Sequence, residues 1–374
     1  MKQRLLSLDV LRGITVFGMI VVNNAGGEYS YDSLRHSVWN GLTPCDLVFP
    51  FFLFIMGIST YIALRKFQFQ PSPAVLRKIM RRTLLIFLIG WGIYWFEFAC
   101  EGDFLPFAHI RILGVLPRIA LCYGIVSLLA LYVRPKGLAW IAGILLLGYA
   151  LLLQWGNGYA MDSTNILAIW DTKVLGYEHL YHKSHVDPEG LTSTLAAIAH
   201  TIIGFLCGRL IMETQDLGQK IVKLFVAGFL LAAAGFLLVE WLPLNKRIWS
   251  PSYALATCGM AAMLQATLLY FIDAQGKKQW CRIFEVFGVN PLFLYVLSEL
   301  TAVVLNVTEC KPAVYGAIHS VIGNPYVASA VYSLLFVSVW EPSDIRCTRK
   351  RYILKYKELE GVKGVITPLR SVRS

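Results

Sequence analysis

The chain has 374 residues, 34 Lys and Arg against 23 Asp and Glu, a formal net charge of +11 and a mean hydropathy of +0.58. Only 15% of the residues are charged, where a soluble domain carries about 25%. The apolar residues also fall in blocks of bilayer length, which excludes a soluble fold and points to an all-α, polytopic membrane protein. Nor does the positive balance point to nucleic acid, because the basic residues gather between apolar blocks, where membrane topology accounts for them.

Ten spans are predicted in one bundle, at about residues 7–24, 44–64, 80–98, 112–132, 137–155, 191–210, 221–241, 252–272, 284–306 and 326–340; each approaches the ~20 residues that cross a bilayer. Residues 1–340 read as a single transmembrane domain and 341–374 as a basic tail, placed in the cytoplasm, where it either lies on anionic membrane lipid or is a disordered, solvated tail. With the N-terminus inside, the inner segments hold seventeen Lys and Arg before the tail, against six in the outer loops. That bias places the N-terminus in the cytoplasm and the loop after the first span on the extracytoplasmic side.

The first span is read as a retained helix rather than a cleaved leader, because Asp9 and Arg12 interrupt its apolar core. They lie three apart and share a helix face. They read either as a mutual ion pair or with Arg12 facing a cofactor phosphate. Asn23 and Asn24 close the span before Ala25-Gly26-Gly27. They read as a glycine-stopped helix end, or as an amide beside His36 that orients the imidazole or an acyl oxygen.

Next comes Tyr31 to Gly57, YDSLRHSVWNGLTPCDLVFPFFLFIMG. A polar loop carries His36, a Trp39-to-Thr43 turn follows, and an apolar run opens with the carboxylate of Asp46. An imidazole of unperturbed pKa about 6.5 serves as base or nucleophile near neutrality. Asp46 could hold its second nitrogen or simply cap the second span.

Arg111 and Arg118 are seven apart, two turns along one helix face, and read as the wall of a polar cavity. In the long outer connection, residues 156–190, His179, His182 and His185 recur every three residues. Metal binding would need that segment helical; its mixed polar sequence reads as a surface loop and Pro188 as a helix entry. His200, Asn290 and Glu299 are buried polar groups of later spans, suited to helix–helix hydrogen bonds or ligand contacts. The eight cysteines form no C-x-x-C pair, which argues against a metal ribbon or redox motif. Cys100 and Cys310, both assigned to the outer side, leave a disulfide open.

The blocks Ser7-Leu8-Asp9-Val10-Leu11-Arg12-Gly13, Val22-Asn23-Asn24-Ala25-Gly26-Gly27 and His36-Ser37-Val38-Trp39-Asn40-Gly41-Leu42-Thr43-Pro44-Cys45-Asp46-Leu47-Val48-Phe49-Pro50 resemble the heparan-α-glucosaminide N-acetyltransferase family. So do Arg111 to Arg118, Asp187 to Leu191, Trp249 to Tyr253 and Phe287 to Leu292, so that the likeness runs over about residues 5–340. The block from His36 to Pro50 is specific; the Leu-Asp-x-Leu-Arg-Gly start is shared with membrane acyltransferases of the acyltransferase-3 type. After Trp340 the chain departs from the family's usual ending.

The resemblance implies an integral membrane enzyme that takes acetyl from cytosolic acetyl-CoA and delivers it to the amino group of a terminal glucosamine on the far side. It implies His36 as the active-site histidine, Asn23 as its asparagine, and a homodimer. The candidate catalytic set is therefore His36, Asn23 and Asp46. The candidate acetyl-CoA set is Arg12, Asp9, Arg111, Arg118 and Asn290, and no metal is expected. The acceptor is an amino sugar or glycan. An O-acyltransferase of envelope glycans is the alternative enzyme, and an amino-sugar transporter the alternative of another class. Against the latter, no paired inverted halves are visible.

Overall fold

The computed structural model describes residues 5–340 and contains, among them, thirteen α-helices and no strand. In order these are α1 (Leu6–Asn23), α2 (Val48–Arg65), α3 (Pro73–Cys100), α4 (Val115–Tyr132), α5 (Pro135–Trp155), α6 (Ile166–Leu175), α7 (Thr194–Glu213), α8 (Leu217–Leu237), α9 (Pro251–Leu268), α10 (Cys281–Val289), α11 (Pro291–Val307), α12 (Cys310–Ile322) and α13 (Pro325–Ser338). The expected tail, residues 341–374, lies outside the described residues.

Eight helices among the described residues are long and apolar enough to cross a membrane. The ten-span expectation is corrected at its C-terminal end. The predicted ninth span is two helices, α10 and α11, bent by 85°. Pro291 sits at the first position of α11 and cannot donate to the helix before it, so the chain breaks at Asn290. The predicted tenth span is α13, only 14 residues long, preceded by the unforeseen α12. The bundle nonetheless has a membrane protein's radial order: α1, α2, α4, α7 and α9 are 61–72% buried and form the middle, while α3, α5 and α8 are 11–28% buried. The outer helices turn Trp140, Ile144, Leu147 and Leu151 of α5 and Phe229 and Leu230 of α8 outward, as lipid-facing stripes require.

Small residues let the central helices touch. Gly57 of α2 meets the Thr201–Phe205 backbone of α7, and Gly204 of α7 meets Phe54 of α2 in return. Gly13 of α1 abuts the Phe284 carbonyl of α10, and Gly288 abuts that of Asp9. This contact holds α10 across the N-terminal half of α1, where the broken span borders the cavity described below. A methyl group at Gly13 has no room, so Gly13→Ala should cost about 2 kcal/mol or more. Gly92→Ala, where nothing lies within 4 Å, should be neutral or slightly stabilising. Thermal unfolding of the two variants in one detergent checks the pair, and equal melting would refute the packing account.

Candidate active site

The His36 loop is built locally. Thr43 caps the turn Pro44–Leu47, and Asp46 returns its carboxylate to the Thr43 backbone, a reciprocal capping box. Asp46 is fully buried. Its Oδ2 accepts from the backbone N–H of Ser37 at 3.1 Å and of Thr43 at 3.1 Å. Its Oδ1 lies 2.8 Å from His36 Nδ1. The two readings of Asp46 are thus both realised: one carboxylate caps the turn with one oxygen and orients the imidazole with the other. A carboxylate only accepts, so Nδ1 carries the hydrogen, and the neutral form of the ring presents its lone pair at Nε2. The His36 side chain is 46% exposed, open enough for a substrate to approach.

The loop is seated on the connection between α8 and α9. Gly41 N–H donates to the Leu244 carbonyl at 2.7 Å, Asn245 Nδ2 to Asn40 Oδ1 at 3.1 Å, and the Tyr253 hydroxyl to the Asp46 carbonyl at 2.6 Å. This seating brings in a residue that the sequence reading counted only for topology. Lys246 Nζ lies 2.9 Å from His36 Nδ1 and 3.0 Å from Nε2, and 3.8 Å from Asp46 Oδ1. Cys45 Sγ approaches the same ring at 3.1 Å. Burial pulls the Lys246 pKa below the ordinary lysine value, with Asp46 and Glu189 acting the other way. No local pattern marks Lys246, 210 positions from His36; its one signal is the Trp249-to-Tyr253 block just after it.

The remaining predicted residues divide between two regions. Arg12 pairs with Asp9 at 3.3 Å, so the ion-pair reading holds, and also donates to Ser59 Oγ at 2.9 Å and the Gly288 carbonyl at 3.2 Å. Its side chain lines a cavity of about 840 Å³ among α1, α2, α3, α4 and the broken span. At the end of the bundle bearing the N-terminus, this cavity is also lined by Arg77, Lys78, Arg81 and Arg82. None of these four pairs with a carboxylate among the described residues. Further in, the walls are apolar, with Phe52, Ile55, Leu116, Ile119 and Leu292. Asn290 sits at the helix break, between cavity-lining Val289 and Pro291. A polyanion at the cationic end and a slender chain along the apolar part fit this lining.

Asn23 is not on the imidazole. Its amide donates to Glu299 Oε1 at 3.0 Å, one turn of α11 beyond cavity-lining Tyr295. Arg111 and Arg118 do not share a helix face either, because Gly114 is extended and α4 begins only at Val115. Arg111 pairs with Asp187 and, at 2.7 Å, with Glu189. Arg118, fully buried, donates to the Gly190 carbonyl at 2.9 Å and to Ser193. Neither lines the cavity; Arg118 ties the Asp187–Gly190 loop to α4, and Arg111 ties it to the segment just before α4. Burial opposes the Glu189 charge, but Arg111 and Arg118 outweigh it and hold its pKa below the usual carboxylate range. That loop, not a helix entry at Pro188, leads into α7, which starts at Thr194.

His179 Nδ1 contacts the Ile110 carbonyl and His182 Nε2 the Glu178 carbonyl. Among the described residues no group of three or more His, Cys, Asp or Glu side chains could hold a metal. His200 Nε2 donates to the Pro50 carbonyl at 2.8 Å, a helix–helix bond between α7 and α2. Cys100 and Cys310 are free thiols.

The family model described as heparan-alpha-glucosaminide N-acetyltransferase, catalytic, matches residues 4–184. The heparan-alpha-glucosaminide N-acetyltransferase of Homo sapiens is 28% identical over 355 residues, covering 79% of this chain and 53% of that protein. Its counterpart in Mus musculus is 27% identical over the same shares. The resemblance read from the motifs is borne out, and the chain spans about half the length of these curated relatives.

Proposed function

We propose that the chain moves an acetyl group from acetyl-CoA, held in the basic cavity from the cytoplasmic side, to the amino group of a glucosamine-type sugar on the opposite side, by way of His36. The observation that carries this reading is the pairing of two features in one bundle: an Asp46-oriented imidazole at one end, and at the other an apolar cavity whose cations at 77–82 pair with no carboxylate among the described residues. Acetyl-CoA is polyanionic at its nucleotide and cannot cross hydrocarbon. Arg77, Lys78, Arg81 and Arg82 would hold its phosphates, and the apolar wall would guide the pantetheine arm toward the far face. The relatives' name supplies the acceptor class.

His36 acts in one of two ways. As nucleophile, Nε2 takes the acetyl group and passes it to the amine. As general base, Nε2 removes the amine's proton while the amine attacks the thioester directly. Rapid mixing with labelled acetyl-CoA and no acceptor separates them, since absence of hydroxylamine-labile label on the protein eliminates the first.

The whole reading is tested in sealed vesicles of known orientation, with acetyl-CoA on the face bearing residues 77–82 and glucosamine on the other. N-acetylglucosamine should form in the compartment that never meets acetyl-CoA. Formation only when both substrates share a compartment would overturn it. Acetylation of a sugar hydroxyl with the amine untouched would favour the O-acyltransferase instead. Replacing Arg81 and Arg82 together by Ala should raise KM for acetyl-CoA about tenfold or more with kcat little changed, since hydrogen bonds to charged groups contribute roughly 1.5–3 kcal/mol before solvent screening. An unchanged KM in steady-state assays would remove the phosphates from that end of the cavity.

A further inference from the structure

We propose that Lys246 is a catalytic residue, its ammonium stabilising the oxyanion formed when the acetyl carbonyl is attacked at His36. The proposal rests on the transferase reading above and assigns one more group at the same site.

The geometry is specific. Lys246 Nζ is nearly equidistant from the two ring nitrogens, at 2.9 and 3.0 Å. An atom that close to both, if in the ring plane, would collide with the carbon between them, so the ammonium rides on the ring face. The in-plane lone pair of Nε2 therefore stays open. A carbonyl carbon approached along that lone pair carries its oxygen to one side of the line of attack, and the cation lies beside that line.

Held this way, Lys246 is suited to charge that appears only during reaction. Its side chain is 13% exposed, so its field is screened less than that of a surface lysine. The turn that carries it is stitched: Asn245 N–H donates to Ser250 Oγ at 3.0 Å, Ile248 N–H to Asn245 Oδ1 at 3.2 Å, and Trp249 N–H to the Lys246 carbonyl at 3.1 Å. Trp249 closes the turn at φ 52°, a left-handed conformation costly for a bulky residue. It is held there by the rings of Phe49, His200 and Tyr253 and by Arg118 over its face. Arg111 and Arg118 donate to the 187–193 segment, and the cation in contact with the ring is Lys246.

The step balances by either route. The nitrogen lone pair forms the N–C bond and the carbonyl pair moves onto oxygen, opposite the ammonium. Return of that pair breaks the C–S bond and expels CoA as a thiolate. In the direct route the thiolate takes the proton that His36 removed from the amine; in the carrier route it takes one from solvent, and the amine then attacks acetyl-His36, Nε2 leaving with the bonding pair and the amine's proton passing to solvent.

The test compares wild type, Lys246→Met, Lys246→Arg, Lys246→Ala and His36→Ala in detergent, with acetyl-CoA and glucosamine. Lys246→Met should lose about 10²–10³-fold in kcat, the range for removing one oxyanion donor. Its affinity for CoA should stay within threefold, because the cationic cavity is elsewhere, and Lys246→Arg should keep more activity than Met. Ethylammonium should restore Lys246→Ala at least tenfold and leave wild type unchanged, a rescue that a merely structural lysine would not show and that a poorly folded Met variant leaves measurable. Met and Ala variants within threefold of wild-type kcat, beside an inactive His36→Ala, would overturn the role of Lys246 and leave the transferase reading standing. No transfer to glucosamine by wild type would overturn both.

Discussion

Replacing His36 by alanine should lower acetyl transfer at least about 10³-fold while leaving the protein folded, with a modestly lower melting temperature. The two halves of this expectation have separate causes. In both proposed routes Nε2 would carry the reactive lone pair, and losing a group that acts as nucleophile or general base removes about 4 kcal/mol or more of transition-state stabilisation. The ring is nearly half exposed and packs into no core, so its removal leaves no cavity of consequence, but buried Asp46 Oδ1 loses its hydrogen bond, a cost of about 1–3 kcal/mol. Binding of CoA should survive, because the cationic cavity end lies on residues 12 and 77–82. Steady-state kinetics, melting and CoA titration on one preparation check all three. Full activity in a folded His36→Ala protein would end the assignment of His36.

Asp46→Asn should cost both activity and stability. The substitution is isosteric, but the carboxylate only accepts, from Ser37 N–H, Thr43 N–H and the imidazole. An amide must point its NH₂ at one of those donors inside a fully buried site. A buried unsatisfied pair costs about 1–3 kcal/mol. If the NH₂ faces the ring, the imidazole flips tautomer and presents Nε2–H where a lone pair is needed. We expect kcat to fall about 10²–10³-fold, with a lower melting temperature. Assays well below the variant's melting point separate the two effects. Retained kcat there, beside reduced melting, would leave Asp46 a structural cap alone.

The residues legible in the sequence were those whose partners are near in the chain. His36 and Asp46 are ten apart, joined by a capping turn whose Thr43, Pro44 and Asp46 are a recognisable signature. Asp9 and Arg12 were paired correctly because three residues make one helix face. Asn23 was drawn toward His36 by nearness along the chain, whereas α1 turns it to Glu299 on α11. Arg111 and Arg118 were assigned a shared face on the premise of one continuous helix, which the extended Gly114 denies. The lysine and arginine cluster at 77–82 was counted as a topology signal; its cations also line the cavity. Pro291 was in plain view, but hydropathy averaged across it and merged two helices into one span.

From the sequence alone came the membrane class, the order of most spans and the histidine–aspartate pair, because hydropathy and capping are local properties that survive without tertiary context. Only the packed bundle decided which distant groups meet. Lys246 reaches His36 because the α8–α9 turn docks on the loop before α2. The cavity exists because α3, α4 and the broken span leave space beside α1 and α2. Which cations end up paired with carboxylates, and which line the cavity, depends on how helices pack, and neither composition nor spacing carries that information.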